Sequence, residues 1–361
     1  MDAQARRVGL RDRVRGCLQG GAIGDALGGP VEFDDLATIR RRHPGGVDLD
    51  EPGLITDDTQ MTLFTADGLI RGLLHGDPVA RLWEAYQRWL LTQGAVDPFP
   101  ETNDWLLGHR RLWAARAPGA TCVGALRNGR PGRTDAPVNS SKGCGGVMRA
   151  APAGFLTERR DAYRTGCELS ALTHGHPTGW IAGGALALLV HLLAVADQPL
   201  TVALLETERV VAAEPDGSEV RDALAAAVDA ARRAPADATV LATLGEGWVA
   251  EEALAIGVYA ALSCQEASVP AAGSVTGTWQ GADSAVSSAV AAALRLAVEH
   301  SGDSDSTGAI AGNLLGAMWG TGALPADWLT RVELAELIGT VADDLVDAVA
   351  GETGRLVDRY P

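Results

Sequence analysis

The sequence predicts an all-α fold, a single compact multi-helix domain over residues 1–361. Apolar residues recur at the three- and four-residue spacing of amphipathic helices along most of the chain. The alternation of apolar and polar residues that is typical of half-buried strands is almost absent, and nothing indicates a parallel sheet. A chain of 361 residues often forms two domains. Because no Pro/Ser-rich or charged linker divides this one, we expect one domain.

The helices predicted in the N-terminal half follow from their start and stop signals. The first covers residues 8–27, and Gly28-Gly29-Pro30 ends it. A loop follows through residue 53, Thr56 or Asp57 is placed as the N-cap of a helix through residue 74, and Pro78 opens the next helix. We predict loop at 93–100, helix at 105–117 and irregular chain at 118–142.

The C-terminal half is predicted to be helical almost throughout. The predicted ranges are 163–174, 177–196, 201–213, 220–233, 251–264, 282–299, 306–319 and 329–350. The longest apolar run, residues 181–196, lies in the second of these helices. Because His191 interrupts the run, and because it is shorter than the ~20 residues of a membrane span, we interpret it as a buried helix.

Composition and charge exclude several classes of function. The net charge of −16 repels phosphate backbones, so nucleic-acid binding is not expected. The five cysteines include no CxxC pair, which favours a reduced compartment over a disulfide framework. The N-terminal residues lack the apolar segment of a signal peptide. We therefore expect a cytoplasmic protein that does not bind membranes.

Two short acidic clusters lie near opposite ends of the chain, Thr56-Asp57-Asp58-Thr59 and Asp303-Ser304-Asp305-Ser306. Each offers two carboxylates and at least one hydroxyl, and each leads into a predicted helix. N-capping alone would explain one Asp per helix, but not doubled acids at both sites. Carboxylates this close repel one another, so burying them together is costly unless a cation lies among them. If the fold joins the clusters, they form an all-oxygen site for one or two hard cations such as Mg²⁺ or Mn²⁺.

The second cluster also begins like an EF-hand loop, and this alternative can be tested on the sequence. An EF-hand needs a bidentate Glu at its twelfth position. That position here is Leu314, so an EF-hand is excluded. The helix that follows is rich in small residues, which suits a crowded interior.

A Gly-rich loop, Asn139-Ser140-Ser141-Lys142-Gly143-Cys144-Gly145-Gly146, contains the only lysine in the chain. The backbone N–H groups of such a loop can hold an anion, and Lys142 adds positive charge. The spacing is not that of a Walker A loop, and a plain turn is the alternative. A nucleophilic role for Cys144 has little support, because most cysteines are simply packed.

Two further segments leave their interpretation open. Thr173-His174-Gly175-His176-Pro177 places two histidines two residues apart, which suits a zinc ligand pair, a substrate contact or a helix cap. Residues 20–29 are Gly-rich, but they lack the GxGxxG order and follow a helical pattern, which excludes a Rossmann site. Glu32, just beyond them, is by itself predicted to be a solvated loop residue.

Taken together, these segments resemble the ADP-ribosylglycohydrolase family, an all-helical group of dinitrogenase-reductase-activating glycohydrolases and ADP-ribosyl hydrolases. The resemblance covers most of the chain in the family's order and rests on GAIGDALGGPVEF, TDDTQMTL, SSKGCGGVMRAAP, THGHP, GWVAEEAL and GDSDSTGAIAGNLLGAMWG. It implies a hydrolase that cleaves the glycosidic bond between ADP-ribose and an arginine or serine side chain, or a small molecule. The alternatives are an ADP-ribose binder with little or no catalysis and a binuclear-metal hydrolase of another nucleotide derivative.

The resemblance also implies roles for individual residues. Two divalent cations, Mg²⁺ or Mn²⁺, would be held by Thr56, Asp57, Asp58, Asp303, Asp305 and Ser306. Glu32 and Asp303 would be catalytic, and Glu32 stands where some relatives carry a gating glutamate linked to the metals. The substrate would contact Ser140, Ser141, Lys142, Gly143, Cys144 and Gly145 around its diphosphate, His174 along its ribose and Trp248 beside its adenine. Some relatives carry Asn where this chain has Cys144. The expected partners are an ADP-ribosylated protein or small molecule and the ADP-ribose product.

Overall fold

The computed structural model describes residues 3–94, 103–268 and 279–361, and it describes side chains over 9–94, 103–265 and 285–361. Within these ranges the regular structure is helical, and the only β pairing is three isolated bridges. The prediction of an all-α fold is therefore confirmed. The α-helices are α1 (Ala3–Gly28), α2 (Leu36–Arg42), α3 (Asp57–His75), α4 (Pro78–Thr92), α5 (Ala120–Arg127), α6 (Arg159–Ala171), α7 (Pro177–Ala194), α8 (Leu200–Ala212), α9 (Ser218–Arg233), α10 (Ala238–Leu241), α11 (Ala250–Ser268), α12 (Trp279–Val298), α13 (Ser304–Trp319), α14 (Ala326–Arg331), α15 (Ala335–Val349) and α16 (Leu356–Arg359). Short 3-10 turns lie at Gly29–Val31, Arg110–Leu112, Cys144–Gly146, Ala151–Phe155, Ala242–Leu244 and Thr321–Ala323.

Helices α1 and α13 form the centre of the fold and pack antiparallel with their backbones in contact. Glycines at every fourth position of α1 face glycines of α13, as Gly20 faces Gly312 and Gly24 faces Gly308. A Cβ atom on Gly20 would lie 2.5 Å from the carbonyl oxygen of Gly312, which leaves no room for a side chain. This close approach brings Asp25 of α1 next to the N-terminus of α13.

The remaining helices surround this pair. Helix α11 packs against α13 and α9, α7 against α6, α3 against α4, and α15 against α1. Helix α7 is long and apolar enough to cross a membrane, but 89% of it is buried inside the protein. The interpretation of this segment as a buried helix is confirmed.

The prediction of a helix over residues 105–117 is wrong. The segment forms turns and one short 3-10 turn at Arg110–Leu112, and outside that 3-10 turn Gly108 N donates to Asp104 O at 3.0 Å. The indole N–H of Trp113 donates to the carbonyl oxygen of Leu107 at 2.8 Å. Leu106, Leu107 and Leu112 are buried although the chain that carries them is irregular. Their spacing in the sequence therefore resembles that of an amphipathic helix without a helix being present.

Two short helices lie where loop or irregular chain was predicted. The Asp35 side chain accepts a hydrogen bond from Thr38 N at 2.6 Å and so caps α2. Helix α5 lies between Gly119 and Asn128, inside the segment predicted to be irregular. Of the loop predicted at 93–100, residues 95–100 lie outside the described residues.

The helix predicted over residues 329–350 is divided into α14 and α15. Gly53 N donates to Arg331 O at 3.0 Å, and Glu333 N donates to Gly53 O at 2.8 Å. Leu334 follows with a left-handed φ of 60°. Because these backbone groups pair with a distant loop, they cannot continue the helix.

Candidate metal centre

The two acidic clusters occupy the N-termini of α3 and α13. Thr56 is the N-cap of α3, and its hydroxyl oxygen accepts a hydrogen bond from Asp58 N at 3.3 Å. Asp303 is the N-cap of α13, and its carboxylate accepts from Ser306 N at 3.4 Å. The positive ends of both helix dipoles therefore face the acids and favour their ionised forms. All six residues predicted to hold metal are buried.

The fold brings Glu32 together with both aspartates of the second cluster. Carboxylate oxygens of Glu32, Asp303 and Asp305 lie within 4.8 Å of one another. Burial, followed by the charges of Asp305 and Asp25, raises the pKa of Glu32 to about 8. Glu32 is thus a half-buried member of the acidic centre, and the prediction from its local sequence of a solvated loop residue is wrong.

Asp25 belongs to the same centre, although no role was predicted for it. It is fully buried, and its carboxylate accepts hydrogen bonds from Thr56 N at 3.0 Å and Thr59 N at 3.1 Å. Burial, followed by the charge of Asp305, raises the pKa of Asp25 to about 7. Asp25 therefore links α1 to the first cluster and adds a fifth aspartate to the centre.

The electrostatics of the centre fit a bound divalent cation. Burial, followed by repulsion from Asp305, raises the pKa of Asp57 and of Asp58 well above the usual range for a carboxyl group. Asp57 Oδ2 accepts a hydrogen bond from Gly119 N at 3.1 Å, but the buried Asp58 Oδ2 has no hydrogen-bond partner among the described residues. A buried carboxylate oxygen without a donor needs a cation or a proton. Oxygen donors at this density suit Mg²⁺ or Mn²⁺.

The Gly-rich loop lies directly beside this centre. The Cys144 thiol donates a hydrogen bond to Asp303 Oδ2 at 2.7 Å. Burial and the neighbouring Asp303 raise the pKa of this thiol well above its ordinary value, so it is protonated at neutral pH. The loop predicted to hold the substrate and the predicted metal ligands thus share one site.

The backbone of the loop is held from both sides. Gly143 pairs with Val249 in an isolated bridge, and Cys144 N donates to Trp248 O at 3.3 Å. The Lys142 ammonium donates to Glu219 at 2.8 Å and also bonds Glu251. Since two carboxylates already neutralise Lys142, a phosphate contact through its side chain would compete with these ion pairs. Ser140 is exposed, and Ser141, Gly143 and Gly145 line the same turn.

The two neighbouring histidines have separate partners. His174 is buried, its Nδ1 lies 2.9 Å from Thr173 Oγ1, and burial together with Arg149 lowers its pKa to about 3. Its ring lies under the loop, because a Cβ atom on Gly143 would lie 3.6 Å from His174 Nε2. His176 Nδ1 instead accepts from Thr178 N at 3.2 Å and caps α7. This arrangement does not favour a zinc ligand pair.

An exposed aromatic pair borders the centre. Phe33 directly follows Glu32 and stacks on Trp248, with ring centroids 5.4 Å apart and an interplanar angle of 21°. Phe33 is 72% exposed and Trp248 37% exposed. The Trp248 segment is attached to the second acidic cluster, since Asp303 N donates to Glu246 O at 2.8 Å. Trp248 and Phe33 therefore form an exposed aromatic pair at the edge of the acidic centre, and the sequence did not indicate Phe33.

Two known proteins are similar in sequence to this chain over most of its length. The chain is 27% identical over 336 residues to an ADP-ribosyl-[dinitrogen reductase] glycohydrolase of Rhodospirillum rubrum, covering 90% of this chain and 92% of that one. It is 26% identical over 347 residues to the ADP-ribosylarginine hydrolase Tri1 of Pseudomonas putida strain GB-1, covering 93% and 78%.

A solved structure and a family model extend the comparison to fold and family. The structure, an ADP-ribosylglycohydrolase-related protein complex, matches 94% of this chain and 99% of its own with a TM-score of 0.63. At 23% identity this match shows the fold alone. The family model, described as ADP-ribosylglycohydrolase, matches residues 6–355 of this chain. The resemblance drawn from the sequence motifs is thereby confirmed, and the chain belongs to the ADP-ribosylglycohydrolase family.

Proposed function

We propose that this chain is a divalent-cation-dependent hydrolase that releases ADP-ribose from arginine side chains of ADP-ribosylated proteins. Membership of the family supports the reaction class. Two relatives are named for hydrolysis of ADP-ribosyl-dinitrogen reductase and of ADP-ribosylarginine, and the second name favours arginine over serine or a small molecule. We place the protein in the cytoplasm, with the modified protein as its partner and ADP-ribose as its product.

The observation that carries the proposal is the burial of like-charged groups around one point. Glu32, Asp303 and Asp305 converge within 4.8 Å, and Asp58 Oδ2 has no described hydrogen-bond partner. A purely structural cluster would be expected to contain arginines or lysines that neutralise it. A set of carboxylates that repel one another is stable when a cation binds among them.

The residues that would hold two cations, Mg²⁺ or Mn²⁺, are those at the two helix N-termini: Thr56, Asp57 and Asp58 on one side and Asp303, Asp305 and Ser306 on the other. Divalent cations in such a site supply Lewis acidity toward oxygen ligands and lower the pKa of water. Asp25 would position the first set, because it fixes Thr56 N and Thr59 N.

Glu32 and Asp303 are the residues that we assign to proton transfer. Water attacks the anomeric carbon of the ribose, the bond from that carbon to the guanidine nitrogen breaks, and the released guanidine takes up a proton. Glu32, half-buried and with a carboxylate oxygen within 4.8 Å of Asp303 and Asp305, is placed to accept the proton that the water loses and to pass it to the guanidine. Asp303 lies beside it, and the surrounding carboxylates stabilise the positive charge that develops on the sugar ring.

The remaining substrate contacts follow from the position of the loop. The turn of Ser140, Ser141, Lys142, Gly143, Cys144 and Gly145 would hold the diphosphate through its backbone, while Lys142 fixes the turn through Glu219 and Glu251. His174, neutral and buried beneath the turn, would support the ribose side. Trp248 offers a partly exposed ring on which an adenine can stack.

The test is a panel of substrates carrying arginine-, serine- and acetyl-linked ADP-ribose, incubated with Mg²⁺ or Mn²⁺ and, separately, with a chelator. We expect metal-dependent release of ADP-ribose from the arginine-linked substrate. Asp58→Asn should abolish this release. The matched control Asp135→Asn should not, because Asp135 is exposed and pairs only with Arg133 among its described ion pairs. Lack of release from every substrate at micromolar enzyme would refute the proposed reaction, and tight ADP-ribose binding without release would favour the binding-protein alternative.

A further inference from the structure

The acidic centre contains a soft ligand as well as hard ones. None of the five cysteines forms a disulfide bond within the described residues, and Cys144 alone among them is half-buried while the others are buried. Its sulfur lies 2.7 Å from Asp303 Oδ2, an oxygen that the proposed function assigns to a divalent cation. A thiol in this position brings sulfur to the edge of a site built otherwise from oxygen.

A second observation points to a ligand at the same place. Asp58 is 2% exposed, and its Oδ2 has no hydrogen-bond partner among the described residues. Asp58 is close enough to act electrostatically on Cys144. A second sulfur is also nearby, since Ser306 Oγ lies 3.9 Å from Met148 Sδ. Cys144 and Met148 belong to one turn, in which Met148 N donates to Cys144 O at 3.1 Å.

We propose that Cys144 acts as a thiolate ligand through which the acidic centre binds a thiophilic divalent cation, Zn²⁺ or Cd²⁺, together with Asp303 and Asp58. Thiolate ligands favour these cations over Mg²⁺, which prefers oxygen donors. The inference rests on the metal site of the proposed function but not on its reaction. Its consequence is that Zn²⁺ or Cd²⁺ competes with Mg²⁺ or Mn²⁺ for this centre.

The geometry requires only a small adjustment. With zinc–sulfur and zinc–oxygen bonds of about 2.3 and 2.0 Å, two ligand atoms of a tetrahedral ion lie roughly 3.5 Å apart. The observed separation between Cys144 Sγ and Asp303 Oδ2 is 2.7 Å. The two atoms must therefore separate by less than about 1 Å, within reach of side-chain rotation. On binding, the thiol proton passes to solvent through the Asp303 carboxylate, a sulfur–metal bond forms, and no oxidant or reductant is consumed.

The experiment is a titration of the full chain with Cd²⁺, followed through the ultraviolet charge-transfer band of the sulfur–cadmium bond. We expect this band in the wild type and in the control Cys167→Ser, which removes a buried thiol of α6. We expect Cys144→Ser to lose the band and to bind Zn²⁺ at least about tenfold more weakly in calorimetry, while its Mg²⁺ affinity stays within about threefold.

Absence of the band in the wild type, or an equal band and equal Zn²⁺ affinity in Cys144→Ser, would overturn the inference. Should Cys144→Ser fail to fold, the wild type supplies a second measurement, the alkylation of Cys144 followed by peptide mass spectrometry. Zn²⁺ should protect this thiol, and unchanged alkylation would contradict the inference. If the wild type hydrolyses the substrate but shows no sulfur–cadmium band, the thiolate ligand is refuted and the proposed reaction is not. An inactive protein with a band dependent on Cys144 refutes the reaction alone.

Discussion

The contact between α1 and α13 predicts that one methyl group at Gly20 destabilises the protein. A Cβ atom there would lie 2.5 Å from Gly312 O and 3.3 Å from the Leu324 side chain. Non-bonded carbon and oxygen atoms pack at about 3.5 Å, so the two helices would have to move apart by roughly 1 Å. The obstacle is a backbone carbonyl, which cannot rotate away as a side chain can.

The expected magnitude combines two opposing terms. Overpacking of a rigid contact costs up to about 3 kcal/mol, whereas replacing Gly by Ala inside a helix gains about 1 kcal/mol. We therefore expect Gly20→Ala to lower the free energy of unfolding by about 2 kcal/mol. Gly9→Ala makes the same chemical change in the same helix, at a position where a Cβ would meet no described atom within 4 Å. It should leave stability unchanged or raise it by up to about 1 kcal/mol.

The assay is guanidinium chloride denaturation, followed in parallel by tryptophan fluorescence and far-ultraviolet circular dichroism. The two single-methyl variants should differ from each other by about 2–3 kcal/mol, with Gly20→Ala the less stable. If both variants stayed within about 0.5 kcal/mol of the wild type, the close contact described here would not be a determinant of the fold.

Three further predictions concern the acidic centre. Asp25→Asn removes one of the carboxylate oxygens that accept hydrogen bonds from Thr56 N and Thr59 N. We therefore expect the Mg²⁺ affinity, measured by calorimetry, to fall at least about tenfold. An unchanged affinity would show that Asp25 does not support the metal site. Metal-free protein should become less stable as pH rises from about 5.5 to about 8.5. In the folded state the pKa values of Asp25 (about 7) and Glu32 (about 8) exceed those of carboxyl groups in the unfolded chain, near 4. The folded state therefore binds more protons than the unfolded state over this pH range, and its stability falls as those protons are lost. Saturating Mg²⁺ should remove that loss, and thermal melts with chelator or Mg²⁺ at both pH values check the sign. Lys142→Met should change stability by less than about 1 kcal/mol, since the ion pairs of Lys142 are partly exposed. If the loop holds the diphosphate, the same change should raise KM more than it lowers kcat, and unchanged steady-state kinetics would remove Lys142 from the substrate site.

The helices that the sequence predicts correctly are those whose apolar face is continuous and whose caps are local. Helix α3 begins after Thr56, as predicted, and α13 begins after Asp303, two residues before the predicted start at residue 306. The segment at 105–117 differs, because its buried leucines are positioned by turns and by the Trp113 hydrogen bond rather than by a helix. The break before α15 depends on pairing with Gly53, a contact about 280 residues away in the chain that local periodicity cannot report.

In the candidate site, too, some residues can be predicted from the local sequence and others depend on distant contacts. Both acidic clusters and the Gly-rich loop are visible in the sequence because their residue types are unusual at that density. Asp25 was overlooked because a single aspartate among glycines has no local signature, and its importance arises from the distant amides of Thr56 and Thr59. The signal that could have found it is the helical spacing of glycines in α1, which predicts a close helix partner and so gives Asp25 a buried position. Phe33 acquires its significance only from stacking on Trp248.

The central claim is that the two acidic clusters form one site for two cations, and a crystal structure of the full chain grown with Mn²⁺ tests it most directly. In an anomalous difference map we expect two Mn²⁺ peaks between the N-termini of α3 and α13, with ligands from both Asp57-Asp58 and Asp303-Asp305. A map with no peak there, or with ions bound by one cluster alone, would contradict the account.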